Sequence, residues 1–279
     1  MNKLEKLLFA FTVIILLIGF AFTDLQISQA LYNPESSFGH FFETFGELPG
    51  ALIAVFCMAA LITTRNKEKK LENFLSIVGF CILLFLFSFM AAYLPINYLG
   101  KGLLPLAPVI AVIYAAAALL LAAKLSKDQK DKIRRAAVIG VLLFVSAILI
   151  INLIKMGWGR LRFRSMVEPF DHFSRWYLPQ GFTSDNEYMS FPSGHSANSA
   201  VIIWITLIPS FIPKLKGSSV LLKIVAFAWI LMVMVSRIIV GAHFASDVTL
   251  GASISILLFL LLCSWQEKSA NKKILVEQI

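Results

Sequence analysis

The sequence predicts an all-α, polytopic membrane helix bundle with about eight transmembrane helices, and three observations lead to this prediction. The 279 residues are 58% hydrophobic and only 15% charged, whereas a soluble domain needs about a quarter of its residues charged. The 24 phenylalanines give more apolar surface than a disordered chain carries. Apolar runs approaching the roughly 20 residues that cross a bilayer recur along the chain. A soluble globular protein is therefore excluded.

Eight apolar runs are the predicted transmembrane helices. The first follows two lysines, as in a signal peptide, but no small-x-small cleavage site comes after it, which favours a retained helix. The second is short. No internal repeat or soluble insertion is visible, so residues 1–279 are predicted to form a single integral membrane domain. In chain order the runs are Leu7–Thr23, Ala51–Thr64, Phe74–Leu94, Pro105–Ala123, Ala136–Ile154, Ser196–Ile212, Val220–Ser236 and Val248–Trp265.

The basic residues predict how these helices are oriented. Lysine and arginine collect on the cytoplasmic side of a membrane. With the amino terminus inside, the inner segments hold 18 of the 25 lysines and arginines, most of them at 65–70 and 124–135. Without the short second helix these two segments would lie outside. The charges therefore support all eight helices and place both termini in the cytoplasm.

Cations on the outer side are the exception to this pattern. Six of the seven outer lysines and arginines lie at 155–175 and at position 237. A bound anion would explain them, and so would contacts with lipid headgroups or ion pairs with acidic residues of the same loop. The formal net charge of +9 follows from topology, so no nucleic-acid partner is predicted.

Three short stretches are predicted to meet at the outer face, because hydropathy and charge put them at one membrane depth. They are Lys155–Arg162, Pro192–His195 and Ser236–Asp247. The first leaves the fifth predicted helix, the second enters the sixth, and the third joins the last two.

Several groups in these stretches suit a phosphate. Arg162 and Arg237 are planar forks for phosphate oxygens, and Lys155 is a mobile point charge. Ser193 and Gly194 precede a helix, whose free N–H groups and dipole attract an anion. Singly, each residue also fits a plainer role: snorkelling or interfacial anchoring for the cations, and a turn with a helix cap for the Ser-Gly pair.

Two histidines and a carboxylate could carry the chemistry. His243 and Asp247 are four residues apart and share a face if that stretch is helical. A carboxylate that holds one imidazole nitrogen leaves the other as a nucleophile toward phosphorus, and His195 is then available as a general acid. Alone, Asp247 could be only a helix cap, and each histidine only a packed interfacial side chain.

Together these residues resemble the type 2 phosphatidic acid phosphatase, or lipid phosphate phosphatase, superfamily. The family pattern is Lys-x6-Arg-Pro, Pro-Ser-Gly-His and Ser-Arg-x5-His-x3-Asp. The chain carries it within residues 136–265, except that Phe163 stands in place of the first proline. The resemblance implies a six-helix phosphatase-like core, so one helix pair, near residues 74–123, would be additional.

The resemblance also implies a role for each motif residue. His243 would be the nucleophile that forms a phosphohistidine, Asp247 would orient it, and His195 would protonate the leaving group. No metal and no cofactor are implied, and vanadate would inhibit as a phosphate mimic. The residues that bind the phosphoryl group would be Lys155, Arg162, Ser193, Gly194 and Arg237.

The predicted function is hydrolysis of a lipid phosphate or diphosphate at the outer membrane face, with polyprenyl diphosphate, phosphatidylglycerophosphate and phosphatidate as candidate substrates. A lipid phosphotransferase would use the same site. A serine hydrolase would leave the cations without a role, and a metal hydrolase would need anionic or neutral ligands and not a cluster of cations. A transporter commonly has charges near the bilayer midplane, whereas no predicted helix here has a charged residue near its centre. A non-catalytic relative would be expected to lack the nucleophile or its partner. Membrane lipids in a bacterial plasma membrane are the expected surroundings, with no obligatory protein partner.

Overall fold

The computed structural model describes residues 3–65 and 70–277, and within them the chain is helical without strands. The α-helices, in chain order, are α1 (Lys3–Leu31), α2 (Ser37–Phe45), α3 (Leu48–Thr63), α4 (Lys70–Leu99), α5 (Ala107–Trp158), α6 (Gly194–Ala200), α7 (Ile208–Phe211), α8 (Ser219–Ile239) and α9 (Ala245–Glu277). Short 3-10 helices cover Lys101–Leu106, Phe163–Ser165, Asn186–Tyr188, Val201–Leu207 and Pro213–Ser218.

Seven helical stretches among the described residues are long and apolar enough to cross a membrane. This confirms the polytopic membrane helix bundle. The predicted helices Pro105–Ala123 and Ala136–Ile154 both fall in or next to α5, which is interrupted at Gln129, where the backbone leaves the helical region (φ −130°, ψ 30°). Residues 66–69, which carry part of the basic segment 65–70, lie outside the described chain.

The predicted run Ser196–Ile212 differs from the other seven because it is not one regular helix. It consists of α6, the 3-10 stretch Val201–Leu207, and α7. Its middle is rich in β-branched residues, whose stiff side chains lower helix propensity. Pro209 also lacks the N–H that would bond to the carbonyl four residues earlier. The prediction for this run is therefore corrected to a series of short helical turns.

The chain divides into two compact units. In the second unit α3 packs against α4. Gly140, in α5, allows a close approach to α3, because a Cβ at this position would lie 2.4 Å from Cys57 Sγ. All eight predicted site residues belong to the first unit, and the single-domain prediction stays a prediction. The first unit is formed by Met1–Glu47, Ser146–Ala200 and Phe227–Leu257, and the second by Leu48–Val145, Val201–Ala226 and Leu258–Ile279.

A tight turn between α8 and α9 positions His243. Gly241 follows α8 with φ +66°, a conformation that favours glycine at the end of a helix. The carbonyl of Arg237 accepts hydrogen bonds from the backbone N–H groups of Ala242 (3.1 Å) and His243 (3.2 Å). A Cβ on Gly241 would lie 2.6 Å from the Tyr32 ring. The turn thus holds the end of α8 beside the start of α9.

Candidate active site

His243 is buried in this turn, and its hydrogen bond fixes which ring nitrogen is free. Its Nδ1 lies 2.6 Å from the backbone carbonyl oxygen of Ser190. A carbonyl oxygen only accepts hydrogen bonds, so Nδ1 must carry the proton and donate it. The lone pair is therefore on Nε2, the nitrogen that would attack phosphorus.

Asp247 lies in the first turn of α9 and is fully buried. Its Oδ2 accepts hydrogen bonds from Ser190 Oγ (2.6 Å) and from the backbone N–H of Phe244 (2.9 Å). The same oxygen is 3.9 Å from His243 Nδ1, beyond hydrogen-bond distance. The direct partner of the imidazole is thus the Ser190 carbonyl. That Asp247 orients His243 stays a prediction. Asp247 would act through its negative charge and through Ser190, which contacts both residues.

Arg160 is fully buried and links Asp247 to the amino-terminal helix. Its Nη1 is 2.5 Å from Asp247 Oδ1, and its Nη2 is 3.0 Å from Oδ2 of Asp24, in α1. Its Nε donates to the Ser174 carbonyl (3.0 Å), and the guanidinium lies 4.1 Å from the centre of the Phe244 ring. Arg160 is therefore an ion-pair partner of two buried carboxylates.

Arg237, in the last turn of α8, is only 1% exposed. Its Nη2 donates to Oε1 of Glu43 at 2.8 Å. Within the described chain its Nε and Nη1 are buried without a hydrogen-bond partner. Unpartnered buried N–H groups are costly, and a phosphate accepts such a pair well. These two N–H groups would suit an anion, and binding of phosphate by Arg237 stays a prediction.

Lys155 and Arg162 are also largely buried, and the segment before α6 holds both of them. Lys155 Nζ donates to the Met189 carbonyl at 2.7 Å. Arg162 contacts Asn186 twice, through Nε to the backbone carbonyl and through Nη2 to the side-chain Oδ1, each at 3.0 Å. The charged group of each side chain is thus held by hydrogen bonds to the segment before α6 and does not extend into solvent.

Ser193, Gly194 and His195 begin α6. Ser193 Oγ caps the helix, accepting from the N–H (3.3 Å) and the hydroxyl (3.0 Å) of Ser196, while its own N–H donates to the Asp247 carbonyl at 3.0 Å. A Cβ on Gly194 would lie 3.5 Å from Lys155 Cε, so this segment is next to the lysine. The structure thus brings the motif residues of α6 to those of α5 and α9.

Comparison with known proteins supports the sequence motif. Residues 135–271 match the sequence profile of the PAP2 superfamily. Through these residues the chain belongs to that family. It is also 36% identical over 81 residues to the phosphatidylglycerophosphatase B of Bacillus subtilis (strain 168), a match that covers 28% of this chain and 40% of the relative. The chain thus spans less than half of that relative's length. No solved structure matches the chain.

Phe163 occupies the position of the proline in the PAP2 motif. It is buried, packs edge-on against Tyr32 with ring centroids 5.2 Å apart, and stacks on Phe170 at 5.6 Å. The backbone N–H of Arg162 donates to the Glu187 carbonyl at 2.9 Å. In the family motif a proline would restrict the backbone after the arginine. Here the packing of Phe163 and the hydrogen bonds of Arg162 hold the arginine in its orientation instead.

Residues outside the PAP2 motif complete the site, and the sequence reasoning missed them. Ser190 and Asn186 lie within the matched region, whereas Asp24, Glu43 and Glu47 precede it. A signal existed for Asp24, because a carboxylate at the end of an apolar run is rare in membrane helices and often functional. Ser190 contributes a backbone carbonyl, which residue identity does not reveal.

Burial disfavours the charged form of both site histidines. Burial lowers the pKa of His243 well below its usual range, and the neighbouring Asp247 opposes this only in part. Burial also lowers the pKa of His195 well below its usual range, and the positive charge of Arg237 adds to the effect. By contrast, the hydrogen bonds from Arg164 lower the pKa of the Glu187 carboxyl to about 2. A neutral imidazole is the form that could act as a nucleophile, as predicted for His243.

Stability is expected to fall as the pH drops below about 6.5, the ordinary pKa of histidine. The folded-state pKa of both His195 and His243 lies below this value. The unfolded chain therefore binds protons first and is favoured as the pH falls. The thermal unfolding midpoint in detergent, measured between about pH 5 and 8, should decline less steeply in a His195→Gln/His243→Gln variant. Equal slopes of the unfolding midpoint against pH in the variant and wild type would contradict these pKa shifts. The control is His172→Gln, at an exposed position, which should keep the wild-type slope.

Gly251 on α9 allows the close approach of the Ser193 backbone. A Cβ at this position would lie 2.3 Å from the Ser193 carbonyl oxygen. We expect Gly251→Ala to displace Ser193 and to lower kcat for phosphate release about 100-fold, because a displacement of about 1 Å at a reacting site lowers the rate by about this factor. Gly19→Ala is the control, since a Cβ there meets nothing within 4 Å. Equal steady-state kinetics in the two variants would show that the contact is unimportant.

Proposed function

We propose that this PAP2 protein is a membrane phosphatase that hydrolyses a lipid phosphate or diphosphate through a phosphohistidine intermediate. The observation that best supports the proposal is the buried guanidinium of Arg237, which has two unpartnered nitrogens and whose backbone carbonyl accepts a hydrogen bond from the N–H of His243. An anion-binding group and a neutral imidazole with a free Nε2 are the parts that phosphoryl transfer requires.

The proposed reaction has two displacements. In the first, His243 Nε2 attacks phosphorus, the bond from phosphorus to the lipid oxygen breaks, and His195 gives that oxygen a proton. In the second, water attacks the phosphohistidine while His195 takes a proton from it, and inorganic phosphate leaves as the P–N bond breaks. Lys155, Arg162 and Arg237 neutralise the phosphoryl charge, which is the main source of catalysis in this class.

Candidate substrates are polyprenyl diphosphate, phosphatidylglycerophosphate and phosphatidate. The name of the Bacillus relative favours phosphatidylglycerophosphate. We place the site on the extracytoplasmic side of a bacterial plasma membrane, with both termini in the cytoplasm, because this orientation puts 18 of 25 basic residues inside. Metal independence is part of the proposal, since the site presents cations where a metal ion would need anionic or neutral ligands.

Phosphate release tests the proposal. Purified protein in detergent and EDTA is given each candidate lipid and a soluble diphosphate, and the released phosphate is measured for wild type and Arg237→Gln. We expect release from at least one lipid that survives chelation and falls at least 100-fold in the variant, because a charged phosphate contact is lost. Loss of release on chelation would contradict metal independence.

The same site would serve a lipid phosphotransferase, and one arm of the experiment distinguishes the two reactions. A folded protein that releases no phosphate from any lipid, but moves the phosphoryl group to an added lipid or sugar hydroxyl, is a transferase. A serine hydrolase is opposed by the geometry, because Ser193 Oγ is engaged as the cap of α6. Binding of the lipid without turnover would instead indicate a lipid-binding or transport protein.

A further inference from the structure

Two carboxylates from the amino-terminal segment reach the candidate active site. Glu43, on α2, binds Arg237, as described above. Glu47 lies in the two-residue turn between α2 and α3, and its Oε1 is 3.9 Å from His195 Nδ1. Both precede the PAP2 match, so neither belongs to the three-part motif.

The turn that carries Glu47 is fixed in place. The indole N–H of Trp229 donates to the Gly46 carbonyl at 3.0 Å, and the Gly46 N–H donates to the Phe42 carbonyl at 2.9 Å. A Cβ on Gly46 would lie 2.3 Å from that same carbonyl oxygen, so the turn is closed around a glycine. Asn198 Nδ2 then donates to Glu47 Oε1 at 3.0 Å, and the carboxylate is only 11% exposed. Glu47 is therefore held toward α6.

The surroundings of His195 repeat those of His243. The ring of His243 bonds to a backbone carbonyl, and a carboxylate oxygen of Asp247 lies 3.9 Å from its Nδ1. A carboxylate oxygen of Glu47 likewise lies 3.9 Å from His195 Nδ1. Each histidine thus has its own carboxylate.

A general acid has to carry a proton, and most of the surroundings of His195 oppose this. Burial disfavours the imidazolium, and the positive charges of Arg237 and Lys155 act in the same direction. The carboxylate of Glu47 is the nearby negative charge that favours the protonated ring. The charged or titratable groups that face His195 are Glu43, Glu47, Lys155, Arg237 and His243.

We propose that Glu47 is the positioning residue for the general acid: its carboxylate orients the His195 imidazole and stabilises the imidazolium that donates a proton to the leaving oxygen. This inference rests on the proposed phosphatase reaction. Glu47 touches neither phosphorus nor the leaving oxygen. It acts in the first displacement, when the P–O bond breaks and the proton moves from His195 to the lipid oxygen, and again when His195 takes a proton from water.

The test uses two leaving groups of different basicity. From a lipid monophosphate such as phosphatidate the lipid alcohol leaves as an alkoxide and needs the proton, whereas from 4-nitrophenyl phosphate the leaving group is a stable phenolate that does not. The measured quantity is kcat/KM, which reports the first displacement and not the later hydrolysis of the phosphohistidine. For Glu47→Gln we expect kcat/KM to fall about 100-fold on the lipid, the range of general acid catalysis, and less than about tenfold on the aryl phosphate. Glu47→Asp should recover part of the lipid activity. Glu35→Gln, at an exposed position, is the charge-matched control.

A double-mutant cycle makes the assignment specific to His195. His195→Ala should show the same selectivity between leaving groups, and adding Glu47→Gln to it should cost little more, because the two residues act as one unit. If Glu47→Gln does not fold, Asn198→Ala removes the hydrogen bond that holds Glu47 and should show the same selectivity to a smaller degree.

The outcomes are distinguishable. Equal losses of kcat/KM on both substrates in a folded variant, or losses that add to those of His195→Ala, overturn the role of Glu47 and leave the phosphatase reaction standing. A wild type that hydrolyses neither substrate overturns the proposed function, and this inference with it. Selective loss on the lipid supports both.

Discussion

Replacement of His243 by alanine is expected to lower kcat for lipid phosphate hydrolysis by about 10⁴-fold or more, the scale seen when a nucleophile in an interdependent site is removed. The structure gives the reason. The Ser190 carbonyl occupies Nδ1, so Nε2 is the free nitrogen, and without it the two-step route is lost. The cations Lys155, Arg162 and Arg237 remain, so substrate binding should weaken far less than kcat.

Two controls separate chemistry from folding in this variant. His172→Ala removes an exposed imidazole elsewhere and should retain wild-type kcat. Added imidazole should restore part of the activity of the His243→Ala protein, because the small ring can enter the vacated space and attack phosphorus. Steady-state kinetics and a thermal unfolding curve are the measurements. Near-wild-type turnover in the folded alanine variant would remove His243 from the mechanism.

Replacement of Asp24 by alanine is expected to destabilise the protein by about 3–5 kcal/mol, the cost of breaking a buried ion pair by removing one partner. Asp24 Oδ2 is 3.0 Å from the fully buried Arg160, and its Oδ1 accepts the backbone N–H of Ser246 at 2.9 Å. Arg160 would keep Asp247 as its carboxylate partner but would lose half of its charge compensation. We expect kcat to fall as well, since Asp247 lies beside His243.

Denaturant titration in detergent measures this effect, followed by a signal of tertiary structure. Asp24→Asn keeps the shape and some hydrogen bonds, so it should be less destabilised than Asp24→Ala. Glu35→Ala, at an exposed position, should change the midpoint little. An Asp24→Ala protein with the midpoint of Glu35→Ala would show that the buried pair with Arg160 does not stabilise the fold.

The placement of the motif residues was predictable because it follows from properties that single residues carry. Hydropathy predicts the helices, and the positive charges predict their orientation, which stays a prediction. Lys155, His195 and His243 are therefore predicted to lie at one membrane depth without any knowledge of packing. The same reasoning failed for Ser196–Ile212, where overall apolarity predicted a regular helix but β-branched residues and Pro209 produce short turns.

Partners that depend on packing were not predictable. The ion pair between Asp24 and Arg160 joins residues 136 positions apart. Phe42, in α2, packs edge-on against Trp229 of α8, with ring centroids 5.2 Å apart. This contact helps to hold α2 and the following turn, and so Glu43 and Glu47, beside the site. No local pattern encodes such a contact.

A covalent phosphohistidine at His243 is the intermediate that should be sought first. The protein is mixed with 4-nitrophenyl phosphate, quenched within milliseconds, and digested at alkaline pH, where phosphorylated imidazole survives. Mass spectrometry then locates the phosphoryl group. His195→Ala should accumulate the intermediate, because formation with this leaving group needs no acid whereas hydrolysis needs His195 to accept a proton. We predict an acid-labile phosphoryl group on His243. Phosphate release without that adduct, or with the phosphoryl group on Ser193 or Asp247, would contradict the mechanism.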